Sequence, residues 1–171
     1  MKKIMFTLLA ACAICVTAQA SSVDWSFTTK STSTAAAAGT VYLILGTAGT
    51  YDSVDAVKSA AIDSAGLTTS GSKIQTGTQT WDGGSKAAGA TDSFSFVLVD
   101  SAETGYYVAA TGLTGTYYDP SDALTPKPAT MAKTVSTAIT SESMTSFAPE
   151  PTSGLLLLVG GALLALRRKQ K

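Results

Sequence analysis

The acidic side chains are the residues of this sequence with the greatest capacity for chemistry. Two carboxylates in one cleft can hydrolyse a glycosidic bond, because one protonates the leaving oxygen while the other acts as nucleophile or base. Scattered acids on a β-rich domain are usually solvated surface or turn residues, and we expect a structural role for them. The candidates are Asp24, Asp82, Asp100, Glu103 and Asp119.

A second group of candidates is aromatic. Two tyrosine pairs and one tryptophan could form a surface on which sugar rings stack. Aromatic pairs in strands more often lie half in the core and half at an edge, so the carbohydrate-binding interpretation is an alternative. The residues are Tyr106, Tyr107, Tyr117, Tyr118 and Trp81.

The start of the 171-residue chain has the order of features found in secretion signals. Lys2 and Lys3 precede an apolar run over residues 4–17, and a small-x-small site at Ala18 and Ala20 follows. We predict a signal peptide over 1–20 and cleavage after Ala20. An alternative is lipidation at Cys12, since residues 9–12 resemble a lipoprotein processing site.

Cleavage after Ala20 removes Cys12 and Cys15, the only cysteines, and the chain has no histidine. Ser-His-Asp and Cys-His catalysis and the usual zinc sites are therefore excluded for the exported protein. The glycine-rich stretches match neither a phosphate loop nor a dinucleotide fingerprint, and no aspartate run has the spacing of a calcium loop. We expect no enzymatic activity, no cofactor and no metal site.

Charge separates the middle of the chain from its ends. Residues 21–148 carry six lysines, no arginine, nine aspartates and two glutamates, which gives a net charge of −5. Nucleic-acid binding needs clustered Lys and Arg against phosphate, so we expect no nucleic-acid partner.

Hydrophobic patterning predicts a fold for residues 21–140. Residues 23–28 and 92–99 alternate as half-buried strands do, while residues 40–45 form an apolar run typical of a strand buried on both faces. Residues 106–109 follow a short gap that contains glycine, which predicts a hairpin. Weaker patterns indicate strands at 73–76 and within 130–140, and a turn at 81–84.

One segment has helical spacing. Apolar residues between 52 and 66 recur on one face, with Asp52 or Ser53 as N-cap, Asp55 in the first turn and Gly66 after the end. We predict a helix of about three turns. The fold class is thus mainly β: a compact, sandwich-like antiparallel domain with one short α-helix, followed by a flexible spacer over 141–148.

The end of the chain combines a short apolar run with positive charge. Residues 154–166 are uncharged, and as a helix they would span about 20 Å, less than the roughly 30 Å hydrocarbon core. The basic tail at 167–171 contains Arg167, Arg168 and Lys169, which the positive-inside rule assigns to the cytoplasmic side. A simple C-terminal membrane anchor is one interpretation.

The triplet Pro149, Glu150 and Pro151, the leucine-rich run and the basic cluster together resemble the PEP-CTERM sorting signal of bacteria. That resemblance implies export, recognition of the triplet by exosortase, a membrane-embedded processing enzyme, and removal of the tail. It also implies association with the cell surface or with extracellular polysaccharide. The resemblance covers residues 149–171 and implies nothing about the domain before them.

The sequence therefore predicts an exported, non-enzymatic surface or matrix-associated protein. We expect it to be anchored transiently in the inner membrane and then moved to the cell surface or extracellular matrix. A carbohydrate-binding module and a carboxylate-dependent glycosidase are the alternatives.

Overall fold

The alternating stretch near residue 25 forms a strand whose apolar face is completely buried. The structure is a computed structural model and describes residues 21–147. In it β1 spans Ser22–Lys30, and Val23, Trp25 and Phe27 each have at most 1% of their surface exposed. The prediction that these three side chains share one face is confirmed.

The described residues form two sheets. The first contains, in spatial order, β4 (Thr68–Ser70), β5 (Lys73–Asp82), β1 and β8 (Met131–Val135). The second contains β3 (Ala61–Gly66), β2 (Thr40–Leu45), β6 (Thr91–Val99), β7 (Gly105–Thr116) and β9 (Thr145–Ser146). All neighbouring strands are antiparallel except β1 and β8, which are parallel. The predicted mainly β class with one short helix is confirmed.

The main core combines side chains of both sheets. Phe96 of the second sheet meets Trp25 at 5.5 Å and Phe27 at 6.2 Å between ring centroids, and Val41 and Leu43 of β2 belong to the same cluster. Burial of such large apolar side chains is the main favourable contribution to folding.

A smaller core lies on the opposite face of the second sheet. Tyr42 and Ile44 of β2 pack there with Val97 and with Val57 of the helix. This second cluster explains why residues 41–44 are all buried, as their continuous apolar run predicted.

The helix is shorter than the sequence predicted. Helix α1 spans Val54–Ala60, and the Ser53 side chain accepts a hydrogen bond from the Ala56 N–H at 3.2 Å, so the predicted cap is confirmed. From Ala61 onward the chain pairs with β2 as β3. The prediction that the helix continues to residue 65 is therefore wrong beyond residue 60, because sheet pairing outweighs a weak local preference.

Residues 141–147 differ from the flexible spacer expected there. They form a 3₁₀ turn at Ser141–Ser143 and then β9, which pairs with Gly105 and Tyr106 of β7. The Phe147 ring stacks on the Tyr106 ring at 5.4 Å. This ring contact and the strand pairing attach the segment to the second sheet.

Three weaker sequence predictions can also be compared with the structure. The hairpin is confirmed, since residues 100–104 connect β6 to β7. Strands are present at the two uncertain stretches, as β5 and β8. The turn predicted at 81–84 begins later, because Trp81 and Asp82 are the last residues of β5.

Candidate functional site

The predicted sorting and processing residues lie outside the described part of the chain. They are Ala18, Ala20, Pro149, Glu150, Pro151, Arg167, Arg168 and Lys169. The two positions at which the described domain meets these segments are Ser21 and Phe147.

Both boundary residues are held by backbone hydrogen bonds. Ser21 donates its N–H to the Gly84 carbonyl at 3.1 Å and accepts from the Gly83 N–H at 2.6 Å. Phe147 donates its N–H to the Thr104 carbonyl at 3.1 Å. The fold thus includes the residue that follows the expected cleavage site and a residue only two positions before Pro149.

Among the candidate acids, Asp24 is the one that is buried. Its carboxylate accepts hydrogen bonds from the Thr80 hydroxyl at 2.8 Å and the Tyr118 hydroxyl at 2.8 Å, and it forms an ion pair with Lys127 at 2.5 Å. We call these four residues the Asp24 cluster. Because Tyr118 precedes the proline-containing loop and Lys127 lies within it, the cluster fastens that loop to the first sheet.

Burial and pairing oppose each other at Asp24, whose side chain is only 4% exposed. Burial alone raises the pKa of this carboxyl, but hydrogen bonds from Lys127, Thr80 and Tyr118 outweigh it and hold the pKa below the ordinary value of 3.8. The Lys127 ammonium also lies 4.9 Å from the centroid of the Tyr118 ring. Asp24 is therefore a charged, fully occupied acceptor.

A second cluster of the same residue types surrounds Asp92. Its carboxylate accepts from the Tyr117 hydroxyl at 2.9 Å and pairs with Lys86 at 2.8 Å. We call these three residues the Asp92 cluster. Hydrogen bonds from Lys86 and then Tyr117 hold the pKa of Asp92 below its ordinary value, while burial, aided by the bond to Asp92, raises the pKa of Tyr117 to about 12.

The Tyr117 ring lies directly against the backbone. A Cβ atom added at Gly83 would lie 2.2 Å from the Tyr117 ring, so this position requires glycine. Trp81 and Phe94 contact the same ring, with centroids 6.1 and 6.5 Å away. Tyr117 is therefore a core residue whose hydroxyl donates to Asp92.

The other candidate acids make contacts within turns or on the surface. Asp100 accepts from the Thr104 hydroxyl and from the N–H groups of Thr104 and Gly105, which shapes the β6–β7 hairpin. Burial raises the pKa of Asp100, but these bonds outweigh it and the pKa is lowered. Each remaining acid has a nearby partner. Asp82 accepts from the Gly84 N–H, and Glu103 forms an ion pair with Lys58. Asp119 accepts from the hydroxyl and the N–H of Ser121.

The structure does not bring the candidate aromatic residues to one exposed surface. Tyr106 and Tyr117 are buried, at 4% and 1% exposure, and Trp81 packs partly buried against Phe94 at 6.0 Å. Tyr106 belongs to the smaller core, whereas Tyr107 packs against the main core. The two members of this pair therefore lie on opposite faces of β7.

A surface cavity that the sequence did not indicate lies at one end of the first sheet. Its volume is about 470 Å³, and two of its ten lining residues are Lys30 and Lys73. Seven others are serines or threonines, among them Thr28 and Thr134. Only the register of β1 against β5 brings the two lysines together, and that register cannot be read from the sequence.

Within residues 21–147 no three histidine, cysteine or acidic side chains are grouped so that they could hold a metal ion. In the same range no helix has the length and apolarity required to cross a membrane.

Comparison with known proteins gives no relative. No family model matches the chain, and no curated protein or solved structure is significantly similar to it.

Proposed function

We propose that this chain is an exported, non-enzymatic protein of the cell surface or extracellular matrix, delivered by its C-terminal segment. One observation carries the proposal: Pro149-Glu150-Pro151, thirteen uncharged residues at 154–166 and the basic cluster at 167–169 occur in this order. An exosortase-type enzyme in the membrane recognises the triplet and removes the tail.

The domain boundaries support this proposal. Ser21 is 1% exposed and is hydrogen bonded to both glycines of the Gly83-Gly84 pair, so a chain that begins at this residue retains the backbone hydrogen bonds that hold the start of β1. Residues 21–147 contain no cysteine, so loss of Cys12 and Cys15 with the signal peptide removes no disulfide from the domain.

The distance between domain and tail also bears on the proposal. Phe147 is fixed by β7, and Pro149 follows two residues later, so the triplet begins within about 7 Å of a fixed point and ends within about 14 Å of it. Residue 154 is at most about 25 Å from the same point. Before processing, the domain is therefore held against the outer surface of the membrane, with the triplet between them.

The layered arrangement of the domain suits an exported role. Two sheets share one core, as in a β-sandwich, and the outer strands of the first sheet, β4 and β8, have three and five residues. Short outer strands limit edge-to-edge association, which suits a domain exposed outside the cell.

The test is the intact mass of the exported protein in a host that contains the processing enzyme. We expect a product that begins at Ser21 and lacks residues 154–171. A variant with Pro149→Ala, Glu150→Ala and Pro151→Ala should stay uncleaved in the inner membrane. A product carrying lipid on Cys12, or an unaltered protein that keeps its tail, would contradict the proposal.

A matched control separates recognition of the triplet from helix extension. The variant Thr152→Ala, Ser153→Ala, Gly154→Ala makes three helix-favouring changes in the same segment but leaves the triplet intact. If the triplet is recognised, this control is processed as the unaltered protein is. If both triple variants remain uncleaved, the requirement is an extended segment and the triplet itself is not recognised.

A further inference from the structure

The two lysines of the surface cavity are placed in an unfavourable arrangement. Lys30 and Lys73 are directly opposite in the antiparallel β1–β5 register. Directly opposite side chains lie on one face with Cβ atoms about 5 Å apart, and like charges in this position destabilise a sheet. A bound anion would therefore reduce the repulsion between the two lysines.

No carboxylate compensates this pair. Of the six lysines in residues 21–147, Lys58, Lys86 and Lys127 each form an ion pair, whereas Lys30 and Lys73 form none with the described residues. None of the ten residues that line the cavity is acidic, although the domain as a whole is. The cavity is thus a local positive region on an acidic domain.

The rest of the lining is rich in hydroxyl groups. Thr28 lies two residues before Lys30 on β1 and is the register partner of Thr134 on the neighbouring strand β8, and five more serines and threonines complete the rim. A hydroxyl both donates and accepts hydrogen bonds, which suits a ligand that has many hydroxyls of its own.

The size of the cavity argues against a single small ion. A volume of about 470 Å³ lies within the range of sites that take organic ligands. Because Lys30 and Lys73 are exposed, the cavity is accessible from solvent.

We propose that this cavity binds an acidic saccharide, with Lys30 and Lys73 on its carboxylate or sulfate groups and the hydroxyl rim on its sugar hydroxyls. The site differs from the aromatic surface considered from the sequence. It goes beyond the sorting proposal and does not depend on it, since every residue involved lies in the described domain.

The experiment measures binding by calorimetry to the full chain, purified in a non-ionic detergent. The probes are an oligogalacturonate, a sulfated dextran oligomer, neutral dextran and polyglutamate. At low ionic strength we expect binding of at least one acidic saccharide and none of neutral dextran. The carboxylated and sulfated probes show which acidic group the site prefers.

Three single variants test the assignment. Lys30→Gln and Lys73→Gln should each weaken binding about fivefold, the loss expected for one solvent-accessible ion pair. Lys133→Gln removes the same charge from the neighbouring strand β8, outside the lining, and should leave the affinity unchanged. The melting temperatures of Lys30→Gln and Lys73→Gln should be unchanged or higher, because the repulsion between the lysines is gone.

The remaining outcomes overturn the proposal. They are no binding of either acidic saccharide, equal weakening by Lys133→Gln, or binding of polyglutamate as tight as that of the saccharides. None of them bears on whether the tail is processed, so the two proposals fail separately.

Discussion

Tyr117 and Tyr118 are neighbours in the chain, yet each donates its hydroxyl to a different aspartate beside a different lysine. In the Asp24 cluster the acid is the buried partner, with 4% of its side chain exposed. In the Asp92 cluster the acid is 29% exposed and the phenol is the buried partner, at 1%. The two clusters have similar composition, but the buried group is the carboxylate in one and the phenol in the other.

This difference determines what each cluster contributes. A buried carboxylate must be compensated completely, and Asp24 has three partners that do so. A partly solvated carboxylate such as Asp92 keeps water as an alternative partner, so losing its lysine costs little. We infer that the Asp24 cluster stabilises the fold and that the Asp92 cluster mainly adjusts the ionisation of Tyr117.

The largest expected difference follows from removing each acid. Asp24→Ala leaves the Thr80 and Tyr118 hydroxyls without their acceptor and should lower the free energy of unfolding by roughly 2–3 kcal/mol. Asp92→Ala should lower it less, because Lys86 is solvent-exposed and can turn to water, so that only the Tyr117 hydroxyl loses its acceptor. Urea denaturation of the two variants at neutral pH measures both losses, and equal losses would show that burial does not separate the clusters.

The next effect appears at alkaline pH. The fold raises the pKa of Tyr117 from 10.0 to about 12. The resulting stabilisation is fully present below pH 10 and is lost as the pH rises through about 12. Tyr117→Phe should remove this part of the alkaline loss of stability, as measured by urea midpoints over that range.

Asp92→Asn is the control for the alkaline experiment. It removes the charge beside the Tyr117 hydroxyl but keeps the burial, which is the larger cause of the raised pKa. Its alkaline loss should therefore be smaller than that of the unaltered protein and larger than that of Tyr117→Phe. An alkaline profile of Tyr117→Phe identical to that of the unaltered protein would refute the assignment.

The smallest expected effect concerns the lysines. Because its pKa is depressed, Asp24 contributes stability that is present above pH 3.8 and lost as the pH falls through the folded value. Lys127→Gln raises that folded pKa, so acid unfolding should begin at a higher pH. Lys86→Gln should move the acid midpoint less, because Asp92 is more solvated. Circular dichroism during acid titration compares the two variants, and a larger shift for Lys86→Gln would contradict the comparison.

Local patterns in the sequence were sufficient to predict β1, β2 and β6, because alternation or a continuous apolar run reports directly on burial. They were insufficient for β3. Residues 61–66 are compatible with a helix by local pattern alone. In the structure they pair with β2, and the Trp25 indole donates to Asp63 at 2.8 Å. The parallel β1–β8 pair and the attachment of β9 are likewise products of tertiary contact.

The same distinction holds for the sites. Asp24 was a candidate acid by type, but its partners Thr80, Tyr118 and Lys127 come from distant parts of the chain and no spacing connects them. The pairing of Lys30 with Lys73 depends on a bulge-containing register between β1 and β5. Pro149, Glu150 and Pro151 show the reverse case, since a contiguous motif can be recognised without any knowledge of the fold.

The central position of β1 has a consequence for the order of synthesis and folding. This strand is made first, yet one of its neighbours is β8, where Met131 follows its partner Trp25 by 106 residues. The first sheet therefore cannot be completed until almost the whole domain has left the ribosome. Pairing over such a sequence separation is slow, because the long intervening segment must first be closed. During synthesis β1 therefore has only β5 as a neighbour in its sheet, and its second edge stays unpaired until residues 131–135 have been made.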